Sequence, residues 1–406
     1  MRRTGADTPT VDLVETAVSV REVSKLIGRT VVQMNNVRRI MIVTKPNDTS
    51  LISLTRDLAI WLMESATEES AQPLVVYIEE YVAQHRNFNL PRVHKKHPIS
   101  QTNIQLWTPQ LCATSPELFD FVVTLGGDGT VLYTSWLFQT TVPPIIPFHL
   151  GSLGFLTVFD HRHARRVLGS AIHAGVRINL RMRFTCTVYR LADTVDPQRA
   201  NRGESFQVMN ELVVDRGPSP YLSQIELYGD GNHLTTVEAD GLCLATPTGS
   251  TAYSLAAGGS LVHPEIPAIL VTPICPHTLS FRPMLLPDSM VLRVVLPPDS
   301  RNTAWASFDG RHRIELRRGD HIQITASKYP LPTVCASQSQ TQDWMASLSR
   351  CLNWNERKRQ KKFSSTGGDA GQGKMDDGLS DDGGNAEDED SALEDDDYDD
   401  HAQPFY

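Results

Sequence analysis

The first part of the chain, to about residue 180, alternates between short apolar runs and segments with apolar residues at helical spacing. Four runs predict buried strands, beginning at Arg38, Leu74, Phe119 and Pro143, because short apolar runs bounded by turn residues are typical of strands covered on both faces. A helix is predicted after Thr130, following the third strand. Strands that alternate with helices indicate a parallel sheet with helices on its faces. The helix between the first two strands is predicted from its apolar positions: Leu51, Leu54, Leu58, Trp61 and Leu62.

Beyond about residue 180 the pattern changes to short strands and hairpin turns. Gly229-Asp230-Gly231 and Asp309-Gly310 are typical of the tight turns that join antiparallel strands. A last amphipathic helix is predicted from Asp343. Five segments are predicted to form the strands and hairpins of an antiparallel β domain: Arg183–Leu191, Gln224–Val237, Met290–Leu296, Ala304–Leu316 and His321–Ser327.

Charge is distributed unevenly along the chain. Residues 364–406 contain fifteen Asp and Glu residues and one Lys, so the formal net charge of −9 reflects this tail. Without the tail, 37 basic and 32 acidic residues leave a body of about +5. The tail has too few large apolar residues to fold alone and is predicted to be disordered. A mildly basic body is compatible with anionic ligands but does not identify one.

Cysteine spacing and hydropathy narrow the class of protein. The six cysteines include no CxxC pair, so neither a zinc site nor a disulfide framework is indicated, and a reducing compartment fits. No apolar run approaches ~18 residues, so no membrane span is expected. The first residues lack an apolar signal core and include acids, which favours a cytoplasmic location. The basic run Arg357–Lys362 has two interpretations: a solvated helix end, or a nuclear address or docking segment for a partner.

A glycine-rich motif, Gly126-Gly127-Asp128-Gly129-Thr130, stands at the end of a predicted buried strand. In one interpretation it is a tight turn in which Asp128 caps the following helix. In the other, its backbone N–H groups face phosphate oxygens, and glycine permits an approach that a side chain would block. A carboxylate normally repels phosphate, so its presence suggests a task such as accepting a proton or positioning a metal.

Two further segments contain polar groups suited to a dinucleotide. Asn210 and Glu211 form either a polar turn before a strand or a pair of ligand-binding groups. In the run Asp240–Pro264 no charged residue follows Asp240, and Gly, Ala, Ser and Thr predominate. This run is either a small-residue helix packed in the core or a wall for a flat ligand. In the second case its hydroxyl groups would face ribose and phosphate, and Tyr253 would face a ring.

Together these three motifs resemble those of the NAD kinase family, in its eukaryotic branch. That family has a GGDGT loop, then an Asn-Glu pair, then a TPTGSTAYSLxAGG run. The same motifs stand here in this order at Gly126–Thr130, Asn210-Glu211 and Thr246–Gly259. The segments Pro273–Pro283 and Ser307–Arg311 also look like those of eukaryotic members.

The resemblance covers roughly residues 35 to 360 and implies a fold. That fold is α/β plus all-β, with an N-terminal α/β domain resembling the phosphofructokinase and diacylglycerol kinase type and a C-terminal β-sandwich. Five segments are therefore predicted: a polar, disordered arm at 1–34; an α/β nucleotide-binding domain with the GGDGT loop at 35–180; a β-sandwich domain contributing dinucleotide-binding residues at 181–330; a segment and helix returning to the first domain at 331–360; and a disordered acidic tail at 361–406.

The resemblance also implies a reaction, in which ATP phosphorylates the 2′-hydroxyl of the adenosine ribose of NAD, or of NADH, to give the 2′-phosphate. Asp128 resembles the proton acceptor of that reaction. Mg²⁺ would be carried by ATP without a dedicated protein site. A homo-oligomer without nucleic-acid or membrane partners is expected. The implied ATP-binding residues are Gly126, Gly127, Gly129 and Thr130, and the implied NAD-binding residues are Asn210, Glu211, Asp240, Thr251, Ala252, Tyr253 and Ser254.

Two other functions stay open. Lipid kinases of the diacylglycerol and sphingosine type share GGDGT, and phosphofructokinases have a close relative of it, so one alternative is a lipid or sugar kinase. In lipid kinases an Asn-Glu pair follows the loop almost at once, whereas here it follows about eighty residues later. The other alternative is a non-catalytic NADP-binding regulator. The presence of Asp128, Asn210 and Glu211 argues against it.

Overall fold

The fold is described from a computed structural model of the chain. The described residues belong to one compact unit. Most of the predicted N-terminal arm, the basic run Arg357–Lys362 and the acidic tail lie outside them. None of the helices in the described part of the chain is long and apolar enough to cross a membrane. The structure describes residues 31–32, 37–45, 48–69, 74–151, 154–191, 201–278, 280–337 and 339–353.

The first sheet contains the strands predicted for the α/β part of the chain. From β6 to β4 its neighbouring strands are parallel, in the order β6-β5-β2-β3-β4. On the other side of β6 the order continues through β20, β8 and β1, and β7 pairs with β6. Its described strands are β1 (Val31–Val32), β2 (Arg39–Thr44), β3 (Val75–Glu79), β4 (Ile104–Trp107), β5 (Phe121–Leu125), β6 (Ile145–His149), β7 (Phe159–Asp160), β8 (Val176–Arg181) and β20 (Leu331–Val334).

Helices cover both faces of this sheet, which explains the continuous apolar runs. Ile40 and Ile42 of β2 belong to one buried cluster, whereas Met41 and Val43 belong to another. This alternation is the two-residue period of a strand buried on both sides. The α/β prediction for this part of the chain is therefore confirmed. The described helices are α1 (Ser50–Glu69), α2 (Glu80–Gln84), α3 (Leu90–Lys96), α4 (Ser100–Asn103), α5 (Pro109–Thr114), α6 (Asp128–Leu137), α7 (Ala164–Ala174), α8 (Tyr253–Ala256) and α9 (Gln340–Leu352).

The strand order reverses between β2 and β5. From β2 the chain adds β3 and then β4 on one side, and it returns to place β5 and then β6 on the other. Ligands of open parallel sheets bind outside the carboxyl ends of the strands at such a switch point. Here those ends are Thr44 and Leu125, and the backbone N–H of Lys45 donates to the Leu125 carbonyl oxygen at 2.9 Å.

The second sheet consists of antiparallel strands that form one hydrogen-bonded sheet of eleven. Its order is β10-β9-β19-β16-β12-β13-β11-β17-β18, and β14 and β15 extend from β13. Its described strands are β9 (Phe184–Arg190), β10 (Asn201–Val208), β11 (Glu211–Asp215), β12 (Ser223–Gly229), β13 (Asn232–Ala245), β14 (Ala268–Pro276), β15 (Met284–Pro287), β16 (Leu292–Val295), β17 (Ala304–Phe308), β18 (Arg311–Leu316) and β19 (His321–Ala326).

This second sheet curls on itself, so it differs from a sandwich of two separate sheets. Phe206 of edge strand β10 stacks on Phe308 of β17, near the opposite edge, with ring centroids 4.3 Å apart. Apolar residues of both edges share one buried cluster. The physical reason is the length of β13, which pairs with β12 along its first part and with β11 and β14 along its second. In a sandwich the strands would belong to two separate sheets, whereas here β13 pairs with strands of both parts and joins them into one sheet.

Both predicted hairpin turns are confirmed. Asp230 and Gly231 join β12 to β13 with φ of 49° and 84°, and Asp309 and Gly310 join β17 to β18 with φ of 50° and 68°. Two consecutive positive φ values define the turn whose twist matches that of the flanking strands.

The interpretation of 240–264 as one small-residue helix is wrong. Asp240–Ala245 is the end of β13, and only the four residues of α8 are helical by α geometry within the segment.

Arg183 connects the second sheet to α6. Its buried guanidinium donates to the carbonyl oxygens of Tyr329 at 2.7 Å, Phe138 at 2.8 Å, Thr140 at 3.1 Å and Ser135 at 3.2 Å. Burial lowers the pKa of Arg183 to about 10, so the group stays charged at neutral pH. A cation stabilises the carbonyl end of a helix. This contact therefore fixes α6, and the glycine loop before it, against the second sheet.

Candidate active site

The glycine-rich loop lies at the carboxyl end of β5, at the switch point of the first sheet. Gly127 is the N-cap of α6 and Asp128 is its first residue, with no side-chain cap. The interpretation of Asp128 as the cap of its own helix is therefore wrong. A Cβ on Gly126 would overlap the Thr130 hydroxyl, so packing requires that glycine. A Cβ on Gly127 or Gly129 would meet no heavy atom within 4 Å. Contacts with the described residues therefore do not explain those two glycines, whereas a ligand approaching the backbone would.

Replacing Gly127 or Gly129 by Ala is expected to separate folding from binding. Neither position needs a positive φ. At Gly129, inside α6, Ala is favoured over Gly by about 1 kcal/mol, whereas Gly127 is the N-cap, where Ala is less favourable than Gly. We expect an unchanged or raised Tm for Gly129→Ala, a slightly lowered Tm for Gly127→Ala, and in both a KM for ATP raised about tenfold, because the methyl group would block phosphate. Gly169→Ala in α7, which also meets open space, is the matched control. An unchanged KM in both loop variants would contradict a phosphate-facing loop.

The carboxylate of Asp128 holds the segment that follows β6. Oδ2 accepts the N–H of Phe155 at 2.8 Å, and Oδ1 accepts the N–H groups of Leu156 at 3.0 Å and Thr157 at 3.2 Å. The Thr157 hydroxyl donates to Oδ1 at 3.2 Å. A Cβ on Gly154 would overlap this carboxylate. Among the described residues, Oδ1 thus accepts three hydrogen bonds and Oδ2 accepts one, so Oδ2 has a lone pair for another donor.

A crevice of about 410 Å³ opens beside the loop. A second hollow of about 190 Å³ adjoins it and shares Lys45 and Asp48 as lining residues. The second hollow lies at the ends of β2 and β3 and includes Thr44, Glu79 and Tyr81. The residues that line the first are Lys45, Asp48, Gly126, Gly127, Gly129, Thr130, Leu150, Gly151 and Arg311. Two cations beside open backbone N–H groups make this crevice suitable for phosphate.

Asn210 and Glu211 lie on the second sheet beside the turn that ends in Arg311. The buried carboxylate of Asp309 accepts the N–H groups of Met209 at 2.8 Å, Asn210 at 2.7 Å and Glu211 at 3.1 Å. Met209 itself packs in a core cluster of the first sheet. Because Asp309 and Arg311 are two residues apart, one turn contacts the Asn-Glu pair with one side chain and lines the phosphate crevice with the other.

Two side-chain oxygens of this pair have no partner among the described residues, although they are buried. They are Asn210 Oδ1 and Glu211 Oε2, on residues 7% and 8% exposed. Buried polar atoms are nearly always hydrogen-bonded, so orphans suggest a missing ligand. Burial, as the largest cause, and the neighbouring Asp309 carboxylate raise the pKa of Glu211, the Tyr253 backbone N–H lowers it, and the resulting pKa is about 7. Burial also raises the pKa of Asp309, which three backbone N–H groups lower.

The other predicted NAD-binding residues differ in exposure and in the partners of their side chains. Tyr253 is 47% exposed, and its ring is available to a ligand. Ser254 is buried, and its hydroxyl lies 2.9 Å from that of Thr272, so it packs inside the wall. Asp240 pairs with Arg216 at 3.1 Å. Thr251 ends the short 3₁₀ turn Thr248–Thr251, and Ala252 is the N-cap of α8.

The turn before α8 is bound tightly to the Asn-Glu pair. The Thr246 hydroxyl donates to the Met209 carbonyl oxygen at 2.6 Å, and the Thr246 N–H donates to that of Asn210 at 2.9 Å. A Cβ on Gly249 would overlap the Asn210 carbonyl oxygen. Glycine at 249 is therefore what allows this turn to reach the pair.

Gly249→Ala is expected to destabilise the protein by about 1–3 kcal/mol or more, because the neighbour that must yield is backbone. The same displacement should weaken dinucleotide binding. Chemical denaturation and calorimetry with NAD would measure both effects. Gly169→Ala again serves as the control, and equal stability of the two variants would contradict the close approach.

Among the described residues, no three His, Cys, Asp or Glu side chains lie close enough to hold a metal ion. Mg²⁺ commonly binds through one or two carboxylates together with substrate phosphates. Asp48 supplies a carboxylate beside the crevice, 3.9 Å from Lys45. The residues present therefore fit an ion that arrives on a nucleotide better than a resident metal.

A glycine loop at the switch point of a parallel sheet, with buried polar groups of a second sheet on the turn that also lines its crevice, is typical of a nucleotide-binding protein with two ligand-binding regions. Two family models match the chain, the ATP-NAD kinase N-terminal domain over residues 40–176 and the ATP-NAD kinase C-terminal domain over residues 209–336. The chain belongs to the NAD kinase family, as the motif resemblance indicated.

Individual relatives support the eukaryotic branch. The chain is similar to an NAD(+) kinase of Saccharomyces cerevisiae, with 46% identity over 356 residues, which are 86% of this chain and 66% of the relative. An ATP-NADH kinase of the same yeast is 42% identical over 358 residues, covering 86% of this chain and 70% of the relative. A crystal structure of yeast NADH kinase with NADH aligns with TM-score 0.67 and 32% identity, over 81% of this chain and 91% of that one. The chain thus spans about two thirds of the length of the two curated yeast relatives.

The structure adds residues to which the sequence gave no role. They are Lys45, Asp48 and Arg311 at the crevice, the 154–157 segment held by Asp128, and the positioning carboxylate Asp309. Asp309 and Arg311 belong to the segment Ser307–Arg311, which resembles the family, but the resemblance assigned them no role in the site. A signal was available for Lys45, because it directly follows the first predicted buried strand and ligands bind outside the carboxyl ends of such strands.

Proposed function

We propose that the protein is an NAD kinase, which transfers phosphate from ATP to the 2′-hydroxyl of the adenosine ribose of NAD and also accepts NADH. The observation that supports this most directly is the pairing of two unlike sites. One is an open glycine loop with cations, and the other is a buried Asn-Glu pair with unpartnered oxygens. The named relatives include both an NAD(+) kinase and an ATP-NADH kinase.

The crevice would hold the donor. Backbone N–H groups of 126–130 would bind the phosphates, and Lys45 and Arg311 would neutralise their charge. The adjoining hollow near Glu79 and Tyr81 would hold the adenosine of ATP, because it shares Lys45 and Asp48 with the crevice. Mg²⁺ carried by ATP would supply further neutralisation of the transferring phosphate.

The Asn-Glu side would hold the acceptor. Glu211 Oε2 and Asn210 Oδ1 are acceptors that ribose hydroxyls or the nicotinamide amide would satisfy, and the exposed Tyr253 ring would lie against a flat ring. Asp240, Thr251 and Ala252 would complete the binding surface. Ser254 would support the wall through Thr272 rather than touch the ligand.

Asp128 would orient the attacking hydroxyl and accept its proton. Its free Oδ2 lone pair suits that donor, whereas the hydrogen bonds from 155–157 fix the carboxylate's direction. A carboxylate is a weak base for an alcohol, so proton transfer would accompany phosphoryl transfer rather than precede it. Positioning is therefore the main contribution expected of Asp128.

Steady-state assays with Mg-ATP and NAD, NADH, a diacylglycerol and fructose 6-phosphate, run side by side, test this proposal. Turnover of NAD or NADH alone is expected. Turnover of the lipid or sugar would favour the related kinases, and binding of NADP without turnover would favour a regulator. The homo-oligomeric state, the cytoplasmic location and the finer likeness of the first domain to phosphofructokinase and diacylglycerol kinase stay predictions.

A further inference from the structure

A cavity of about 450 Å³ lies between α1 and α3, away from the glycine loop. Ile60, Phe88 and Val93 also line it, and Phe88 and Val93 are 0% and 4% exposed. Asp57 is the acidic residue among those that line it. The remaining charged or titratable groups at the cavity are basic: Arg56, Arg86, Arg92, Lys96 and His97.

Two of these basic groups are paired and three are not. Arg56 pairs with Asp57 at 2.8 Å, and His97 lies 2.7 Å from Glu64. Within the described part of the chain, the side chains of Arg86, Arg92 and Lys96 form no ion pair or hydrogen bond. Residues 81–116 contain no Asp or Glu, so nearby sequence supplies no counter-charge. Unpaired cations around a concave surface create a positive potential that attracts anions.

We propose that this cavity is a binding site for a small anionic ligand with two or more phosphate groups. Its volume matches a small molecule. Two guanidinium groups and one ammonium match several phosphate oxygens, because the guanidinium fork binds phosphate through two parallel hydrogen bonds. The half-buried Ile60 side chain would lie against the non-phosphate part of the ligand. We name these residues, Arg86, Arg92 and Lys96, the α3 cation cluster.

The cavity is joined to the proposed donor site by one hydrogen bond. Asn87 lines the cavity, and its Nδ2 donates to the Thr49 carbonyl oxygen at 3.3 Å. Thr49 lines the hollow proposed for adenosine, together with Tyr81. Arg56 also donates to the Asn87 carbonyl oxygen at 2.9 Å. A ligand that fixes Arg56 and Asn87 would therefore change ATP affinity, and ATP would change affinity for that ligand by the same factor. This coupling rests on the proposed function, whereas binding to the cavity does not.

Calorimetric titration with inorganic tripolyphosphate tests the site. A non-hydrolysable ATP analogue with Mg²⁺ is present at saturation, so the probe cannot use the crevice. The triple variant Arg86→Ala, Arg92→Ala, Lys96→Ala removes the α3 cation cluster. Its matched control is Lys95→Ala, Arg165→Ala, Arg317→Ala, which removes three exposed cations that do not line the cavity. We expect one site, weakened about tenfold or more in the cluster variant and less than about twofold in the control.

Three outcomes would overturn the site. The first is that the unaltered protein does not bind tripolyphosphate at millimolar concentration. The second is that both triple variants bind tripolyphosphate equally weakly. The third is that a single-stranded oligonucleotide binds more tightly than tripolyphosphate and that its binding depends equally on both sets of cations. Thermal unfolding shows whether each variant is folded. A protein without NAD kinase activity that still binds tripolyphosphate through the cluster would refute the proposed function alone.

Discussion

Replacing Asp128 by Asn is expected to lower kcat by about 10²–10⁴-fold, the usual contribution of a general base. The variant keeps the size of the side chain and an oxygen acceptor for the N–H groups of Leu156 and Thr157. It loses the charge that orients a hydroxyl, and its amide nitrogen would oppose the Phe155 N–H. Steady-state kinetics with NAD and Mg-ATP measure the effect.

A control must separate chemistry from loop position. Thr157→Val removes one hydroxyl bond to Asp128 while the carboxylate stays, so it should cost much less than Asp128→Asn in kcat. Gly154→Ala would displace the carboxylate without removing it and should resemble Asp128→Asn in kcat. If Asp128→Asn lowered kcat less than tenfold at unchanged Tm, Asp128 would serve to hold the 154–157 segment and not to catalyse.

Replacing Glu211 by Gln is expected to raise the KM for NAD about tenfold or more, with a much smaller change for ATP. The carboxylate is buried beside the proposed dinucleotide site, and its Oε2 has no partner in the described chain. A charged acceptor binds a hydroxyl more strongly than an amide does. Since burial raises the pKa of Glu211 to about 7, the KM for NAD should fall as pH rises through 7 in the unaltered protein. In the variant that dependence should be absent.

Glu211→Gln should weaken NAD binding but stabilise the ligand-free protein at neutral and higher pH. A carboxyl group whose pKa is higher in the folded state binds protons more tightly there, so stability falls as pH rises from about 4.5 to about 7. Glu211→Gln removes that loss, and the ligand-free variant should gain Tm relative to the unaltered protein as pH rises from 5 to 8. Asn210→Asp is a useful contrast, because it adds a buried charge at the neighbouring position. A Glu211→Gln variant less stable at pH 8 and unchanged in KM would contradict a ligand-binding role.

The hydrophobic pattern of the sequence was sufficient to predict those elements whose structure depends on neighbouring residues alone. The apolar runs at β2, β3, β5 and β6 predicted strands because they are buried on both faces, and the Asp-Gly turns predicted hairpins because few residues accept two positive φ values. Strands with mixed or very short patterns were not predicted, among them β4, β10, β14 and β20. Their positions depend on neighbours distant in sequence, such as β6 and β8 beside β20.

The sequence by itself determined the family, the α/β and antiparallel halves and the three motifs, because each is a short, ordered set of residues. Only the tertiary structure showed how the motifs work together. Asp128 faces a segment 27 to 29 residues away, and Asp309 binds Asn210 and Glu211 from 99 and 98 residues away. Long-range hydrogen bonds and close backbone approaches leave no periodicity in the sequence. The use of each carboxylate was therefore decided by folding, which chooses the N–H groups that surround it.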